Sequence, residues 1–183
     1  MKKSFRILYY TIILFISLLS IIGCSYTANV NTMIPGNYDL KQKHQGSINI
    51  IVSGAEEDDS GVDLMMSMIT NESFKKALKN SIVNSNLFSE VVDDSNANYL
   101  LDVHIANISE PPPGTSMHVK MITNWKLVET GINKVIWQDL IITSHTAGAF
   151  AAFVGTKRIK IALEGAARNN IQKGINRLSA IDL

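Results

Sequence analysis

Three consecutive segments in the second half of the chain alternate apolar and polar side chains with a period of two residues. Such alternation is typical of β-strands that bury one face of a sheet and leave the other face to solvent. The side chains expected on the buried face are Tyr99, Leu101, Val103 and Ile105, then Met117, Val119, Met121, Trp125 and Leu127. The third segment runs from Val135 to Thr146 and carries Trp137. Since residues 131–134 form a predicted turn, the three segments indicate an antiparallel meander covered on one side only.

Two other stretches repeat apolar residues with the period of an α-helix. The first runs from about Asn71 to Ser85, and the second from about Thr156 to Leu178. Their apolar stripes are Phe74, Ala77, Leu78, Ser81, Ile82 and Ser85 on the first helix, and Ile159, Ala162, Leu163, Ala166, Ala167, Ile171, Ile175 and Leu178 on the second. The basic residues of the second helix are expected to face solvent: Lys157, Lys160, Arg168, Lys173 and Arg177.

The predicted fold class is α+β, with a single antiparallel (or mixed) sheet of four to five strands and two helices packed on one of its faces. A β-rich run at Ile48–Val52 supplies the first strand, so the order is strand-helix-strand-strand-strand-helix. A chain of 183 residues is long enough for one such core. The acidic run at residues 56–61 is interpreted as a solvated turn, because calcium loops space their carboxylates at alternate positions.

The N-terminus has the pattern of a secretory signal, with a cationic start followed by an apolar run from Ile7 to Ile22. The only cysteine of the chain, Cys24, follows in the sequence Ile21-Ile22-Gly23-Cys24. These four residues resemble the lipobox of bacterial lipoproteins. The resemblance implies that Ile21, Ile22 and Gly23 are recognised, that the signal is cleaved after Gly23, and that Cys24 carries the lipid. The alternative is a transmembrane anchor that ends at an ordinary cysteine.

The expected domain organisation follows from this interpretation. Residues 1–23 are the signal peptide, residues 24–46 are the lipidated cysteine with a polar tether, and residues 47–183 form a single α/β domain. In lipoproteins of this type an Asp after the cysteine favours the inner membrane, whereas this chain has Ser25. The expected location is therefore the outer membrane, with the protein on its periplasmic face.

The sequence carries no motif for catalysis. It contains no phosphate-binding glycine loop, no Gly-x-Ser-x-Gly elbow and no His-Glu-x-x-His pair. A net charge of +1 argues against nucleic acid as a partner. Asp102, His104 and His118 suggest a weak metal site, but we interpret them as surface polar residues. The chain is thus predicted to be no enzyme, with no catalytic residue, no metal and no cofactor.

The segment from Ala147 to Gly155 is small, apolar and free of charge, although it joins the last strand to the last helix. Connections normally lie at the surface, and exposed apolar patches often mark contact sites. Phe150, Phe153 and Val154 are therefore candidate contact residues. The alternative is that the segment folds beneath the end of the sheet and fills the core. The sequence leaves both possibilities open.

Two stretches of the domain resemble small periplasmic α/β lipoproteins, such as the curli-secretion and penicillin-binding-protein-activator lipoproteins. They are Ser85-Asn86-Leu87-Phe88, where a helix ends, and Ala97-Asn98-Tyr99-Leu100-Leu101, where Asn98 replaces the usual Asp. The order of elements is also similar to the lipopolysaccharide-assembly lipoprotein and to auxiliary lipoproteins of envelope ABC transporters.

The resemblance implies a non-enzymatic accessory subunit of an envelope complex, attached to the membrane by its N-terminal lipid. We expect an envelope protein partner to contact the sheet edge, the open sheet face or the final helix. The alternative function is a binding module for a lipid or another amphiphilic ligand near Phe150 and Phe153.

Overall fold

The computed structural model describes residues 27–55, 68–109 and 114–183. The strands are β1 (His44–Ser53), β2 (Phe88–Val91), β3 (Tyr99–Ile108), β4 (Met117–Glu129) and β5 (Lys134–Ala147). The helices are α1 (Val30–Met33), α2 (Asn71–Ser85) and α3 (Gly155–Leu178), and a 3-10 turn (Thr130–Ile132) joins β4 to β5.

The five strands form one mixed sheet in the order β2-β1-β3-β4-β5. The meander β3-β4-β5 is antiparallel, whereas β1 pairs in parallel with both β2 and β3. Parallel neighbours need a crossover connection, and α2 provides it between β1 and β2. The predicted α+β class with a single sheet and helices packed on it is confirmed.

Helix α2 has the bounds and the buried stripe that its sequence period predicts. The Thr70 side chain accepts a hydrogen bond from the backbone N–H of Ser73, and the Ser73 hydroxyl accepts one from the N–H of Thr70, which makes a capping box. Asn86 ends the helix in the left-handed conformation at φ 50°. The chain then turns directly into β2. Helix α2 packs over β1 and β2, the two parallel strands at this end of the sheet.

Helix α3 lies over β4 and β5 and approaches the sheet closely at two glycines. A Cβ on Gly174 would overlap the ring of Trp125, and one on Gly165 would overlap the ring of His145. Because neither glycine has a side chain, a ring from the sheet packs directly against the helix backbone at each position. Apart from Ile159, which is only partly buried, the apolar stripe predicted for this helix is buried.

A polar network lies in the middle of this interface. The side-chain oxygen of Asn170 accepts a hydrogen bond from the Thr123 hydroxyl at 2.8 Å, and the Trp125 indole N–H donates to the same hydroxyl at 2.8 Å. The Asn170 amide donates to the carbonyl of Ile141 at 3.2 Å. These groups are satisfied by one another, which is the condition for burying polar atoms without a large cost.

The structure corrects the expected tether at residues 24–46. In its described part, from residue 27 onward, this segment packs on the domain: Met33 is fully buried, and β1 already begins at His44. The sequence shows no period there because backbone and side-chain hydrogen bonds to α3, and not a regular element, hold most of the segment in place. In the described part of the chain, no helix has the length and apolarity that a bilayer crossing requires.

Candidate interaction surface

The connection between β5 and α3 places two aromatic rings in solvent. Phe150 and Phe153 are fully exposed, at 103% and 106% of the reference area, and Val154 is exposed to 61%. A turn closes with the N–H of Ala151 donating to the carbonyl of Gly148 at 3.0 Å, so Phe150 lies at its apex. We call residues 148–154 the phenylalanine loop.

The phenylalanine loop is fastened to the helix that follows it. One guanidinium nitrogen of Arg158 donates to the carbonyls of Ala152 at 2.8 Å and Phe153 at 3.3 Å. These bonds hold the backbone while both rings project outward. Of the two possibilities that the sequence left open, filling of the core is not what the structure shows.

The face of the sheet opposite α2 and α3 is not covered by any described element, and we call it the open face. Its side chains follow rows across the strands, for example Ser53, His104, Asn124 and Leu140. Apolar side chains remain exposed on it, namely Ile51, Leu140 and Ile142, with the half-buried Ile122 directly opposite Ile142. Leu140 and Ile142 are neighbours on one side of β5, whereas Ile51 lies on β1 with β3 and β4 between them. Exposed aliphatic side chains on an uncovered sheet face are typical of a contact surface.

The open face also carries paired polar groups. Lys126 forms an ion pair with Asp102 at 2.7 Å, and the Ser53 hydroxyl lies 3.1 Å from the His104 ring nitrogen Nδ1. His118 pairs instead with the Thr146 hydroxyl at 2.8 Å, near the other end of the meander. The structure therefore keeps Asp102 and His104 as neighbours on β3, places His118 near the other end of the meander, and gives each residue its own partner.

The outer edge of β5 is blocked against a further strand, and the opposite edge of the sheet is formed by a short strand. Along the outer edge of β5, Asn169 donates to the carbonyl of Ser144 at 2.9 Å and Lys173 to the carbonyl of Ile142 at 3.1 Å. Arg177, one more turn along α3, forms an ion pair with Asp139. At the opposite edge, β2 has only four residues. Occupied carbonyls and short edge strands are two ways in which proteins prevent edge pairing.

Part of the outer face of α3 is covered by the N-terminal segment. The side chain of Arg168 donates to the carbonyl of Thr32 at 2.9 Å, and the side chain of Gln172 donates to the carbonyl of Asn37 at 3.0 Å. Glu164, which is buried, accepts the N–H of Asn29 at 2.7 Å. The expectation that Arg168 faces solvent freely is thus corrected, because residues 29–37 lie against this ridge of the helix.

One histidine on the covered face has a perturbed pKa. His145 packs against Gly165, and burial lowers the pKa of its ring below the ordinary value of 6.5. The positive charge of Arg168 lowers it further. A neutral ring at neutral pH fits its position beneath α3.

Two cavities open on the surface, with volumes of about 380 and 460 Å³. The first lies between residues 39–41 and α3, and the second lies beside Tyr99 and Gly131. Neither is lined by Phe150 or Phe153. Within the described ranges, no group of three or more His, Cys, Asp or Glu side chains is arranged to hold a metal ion.

Three predicted features lie outside the described residues. They are the signal peptide at residues 1–23, the lipobox from Ile21 to Cys24, and the acidic run at residues 56–61. The lipid-bearing role of Cys24 therefore stays a prediction.

No protein-family model matches the sequence, and no curated protein is significantly similar to it. Solved structures are similar to this chain. Protein XCC0632 from Xanthomonas campestris (DUF330) has a TM-score of 0.61 at 8% identity, over 80% of this chain and 91% of that one. The hypothetical protein CT253 from Chlamydia trachomatis has a TM-score of 0.53 at 8% identity, over 74% and 96%. A minor lipoprotein from Acinetobacter baumannii has a TM-score of 0.46 at 13% identity, over 73% and 90%. At such identities the likeness concerns the fold, and function has to be argued from surfaces.

Proposed function

We propose that the protein is a periplasmic lipoprotein, anchored in the outer membrane through Cys24, that acts as a non-enzymatic accessory or assembly subunit of an envelope complex. Its partner is another envelope protein, which it contacts through the open face. The observation that carries this proposal is that apolar side chains on this face, namely Leu140 and Ile142 on β5 and Ile51 on β1, remain exposed in the described structure.

The open face is favoured because the other docking surfaces are blocked, short or partly covered. The β5 edge is blocked by side chains of α3, and the β2 edge is short. The outer face of α3 is partly covered by residues 29–37. Of the three surfaces that the sequence suggested, the open face is the one on which the described residues leave both space and exposed apolar groups.

The chemistry of the open face favours a protein over a lipid. The Asp102–Lys126 ion pair lies on the strands between Ile51 and the two aliphatic residues of β5, and the paired Ser53 and His104 share the same face. Acyl chains would leave such polar groups without water, which is costly. Protein interfaces, in contrast, are only a little more than half apolar and carry hydrogen bonds throughout.

The test is a photo-crosslinking amino acid placed in the full chain in cells of the source bacterium. The probe position is Leu140 on the open face, which is exposed to 50%. Val83 on α2 is exposed to 52% and is the matched control position. We expect one dominant adduct with another envelope protein from position 140 and not from position 83. The same adduct should be lost when Ile142→Asp is introduced beside the probe.

Other results would contradict the proposal in identifiable ways. An adduct between two copies of this chain would make the open face a self-association surface. Adducts with lipid alone, together with lipid that stays bound after purification, would favour the alternative of an amphiphile-binding module. Equal adducts from both positions would mean that the open face has no special role.

The anchor is tested separately. Cys24→Ser removes the only thiol of the chain and should abolish incorporation of labelled palmitate. Unchanged labelling in Cys24→Ser would refute the anchor while leaving the open-face proposal to its own experiment.

A further inference from the structure

The N-terminal segment runs parallel to α3 in a regular manner. Its backbone meets the helix at Glu164, Arg168, Gln172 and Asn176, four residues apart each time, through bonds from residues 29, 32, 37 and 39. The chain therefore travels from the N-terminal half of the helix toward its C-terminal end. Asn29, the first residue in this series, lies beside Glu164, which is nearer the start of α3 than its end.

The reach of the chain before Asn29 is short. Cys24 lies five residues earlier, and five extended residues span at most about 17 Å. Along α3, the ten residues from Glu164 back to Val154 cover about 15 Å. A lipid on Cys24 is therefore within reach of the end of the domain that carries the start of α3 and the phenylalanine loop.

We propose that the phenylalanine loop inserts Phe150, Phe153 and Val154 into the interface of the bilayer to which Cys24 is anchored. This inference rests on the proposed lipidation of Cys24. The loop is a second, non-covalent membrane contact, and it orients the domain with the start of α3 toward the lipid.

The composition of the loop suits a lipid surface. Residues 147–156 contain no charged side chain, so insertion of the loop does not move a charged group out of water. Lys157, Arg158 and Lys160 follow in the first turns of α3, which contain no acidic residue before Glu164. Apolar side chains flanked by cations are the pattern of interfacial binding to anionic lipid.

Two phenylalanines alone would bind a bilayer weakly, but the anchor changes this balance. A short linker raises the effective concentration of the loop at the membrane to about the millimolar range. Weak insertion is then enough to fix orientation. The anchor keeps the protein at the membrane, and the loop sets the orientation of the domain relative to the bilayer.

The experiment uses the full lipidated chain, reconstituted in vesicles of phosphatidylethanolamine and phosphatidylglycerol. In Ala151→Cys, an exposed position between the two rings, the new thiol is the only free one because Cys24 carries the lipid. An environment-sensitive fluorophore on this thiol should shift to the blue in vesicles. It should also be protected from iodide in the water and be quenched by brominated acyl chains.

The matched control is Ile132→Cys, which carries the same label on the turn at the other end of β5. Ile132 is also an exposed apolar residue, and the 14 residues of β5 separate the two ends of that strand by about 45 Å. This label should stay accessible to iodide. Adding Phe150→Ser and Phe153→Ser to Ala151→Cys should remove the protection while the protein still floats with the vesicles.

The outcomes separate the two proposals. If the wild-type chain takes up the thiol label, Cys24 is free, and the anchor and the inference that rests on it both fail. In a second outcome, the wild-type chain floats with the vesicles and takes up no label, but the label in Ala151→Cys stays accessible to iodide. The loop inference alone then fails. Protection that occurs in native membranes and not in pure lipid vesicles would also overturn it, because the loop would then contact a protein.

Discussion

The two faces of the single sheet are made from the same alternating strands, but one face is buried beneath helices and the other is left uncovered by the described elements. On the covered face, Ile50, Leu101 and Trp125 are buried beneath α2 and α3. On the open face, the neighbouring positions hold an ion pair, hydrogen-bonded side chains and exposed aliphatic groups. The comparison shows that alternation alone assigns residues to a face, whereas the helices decide which face becomes the core.

The largest expected difference comes from two adjacent isoleucines on β5. Ile141 is 0% exposed and Ile142 is 41% exposed, so the same substitution probes opposite faces. Ile141→Asp buries an unpaired charge at a cost of several kcal/mol, a large part of a domain stability of about 5–15 kcal/mol. Ile142→Asp should cost less than about 1 kcal/mol, the span of strand propensities.

Chemical denaturation of the two variants measures this difference. Equal loss of stability would mean that the open face is itself buried in the isolated protein, and would contradict the assignment of the faces.

The next effect concerns how closely α3 approaches the covered face. Gly174→Ala forces a methyl group against Trp125, and overpacking of this kind costs about 1–3 kcal/mol. The gain in helix propensity, about 1 kcal/mol, offsets only part of it. In Gly148→Ala the new methyl group meets no atom within 4 Å, so melting should stay near that of the wild type. A stabilised Gly174→Ala would show that the helix lies farther from the sheet.

The elements whose signal is local were predictable from the sequence. The period of α2 gave both ends of that helix, and the alternation of β3 and β4 gave their buried sides. These patterns depend on residues near one another in the chain, so a single sequence carries them.

The features that depend on distant segments were missed. Asn170 lies beside the predicted stripe of α3, and its burial makes sense only once Thr123 and Trp125 are known to face it. Met33 is one apolar residue in an aperiodic segment, and nothing local reveals that it enters the core. For the same reason the exposure of Phe150 could not be decided, because a loop has no period that assigns a side chain to one face.

A pH-dependent difference between the faces is expected from His145. Because burial lowers its pKa in the folded state, the unfolded chain binds the proton more readily. Stability is therefore full above the unfolded value of 6.5 and falls as the pH drops toward the folded pKa. Thermal melting at about pH 7.5 and about pH 5.5 measures the loss. His145→Gln should show a smaller loss, and an unchanged loss would assign the effect to other groups.

The smallest expected effect on stability is that of the double variant Phe150→Ser, Phe153→Ser. Both rings are fully exposed, so removing them takes no apolar area from the core. The free energy of unfolding should therefore change by less than about 0.5 kcal/mol. Arg158 bonds to the backbone of the loop and not to the rings, so the turn itself should persist. A large drop in melting temperature would instead mean that the rings fill the core in solution. Unchanged melting together with loss of protection at position 151 in vesicles would show that the two rings serve contact alone, unlike any apolar group on the covered face.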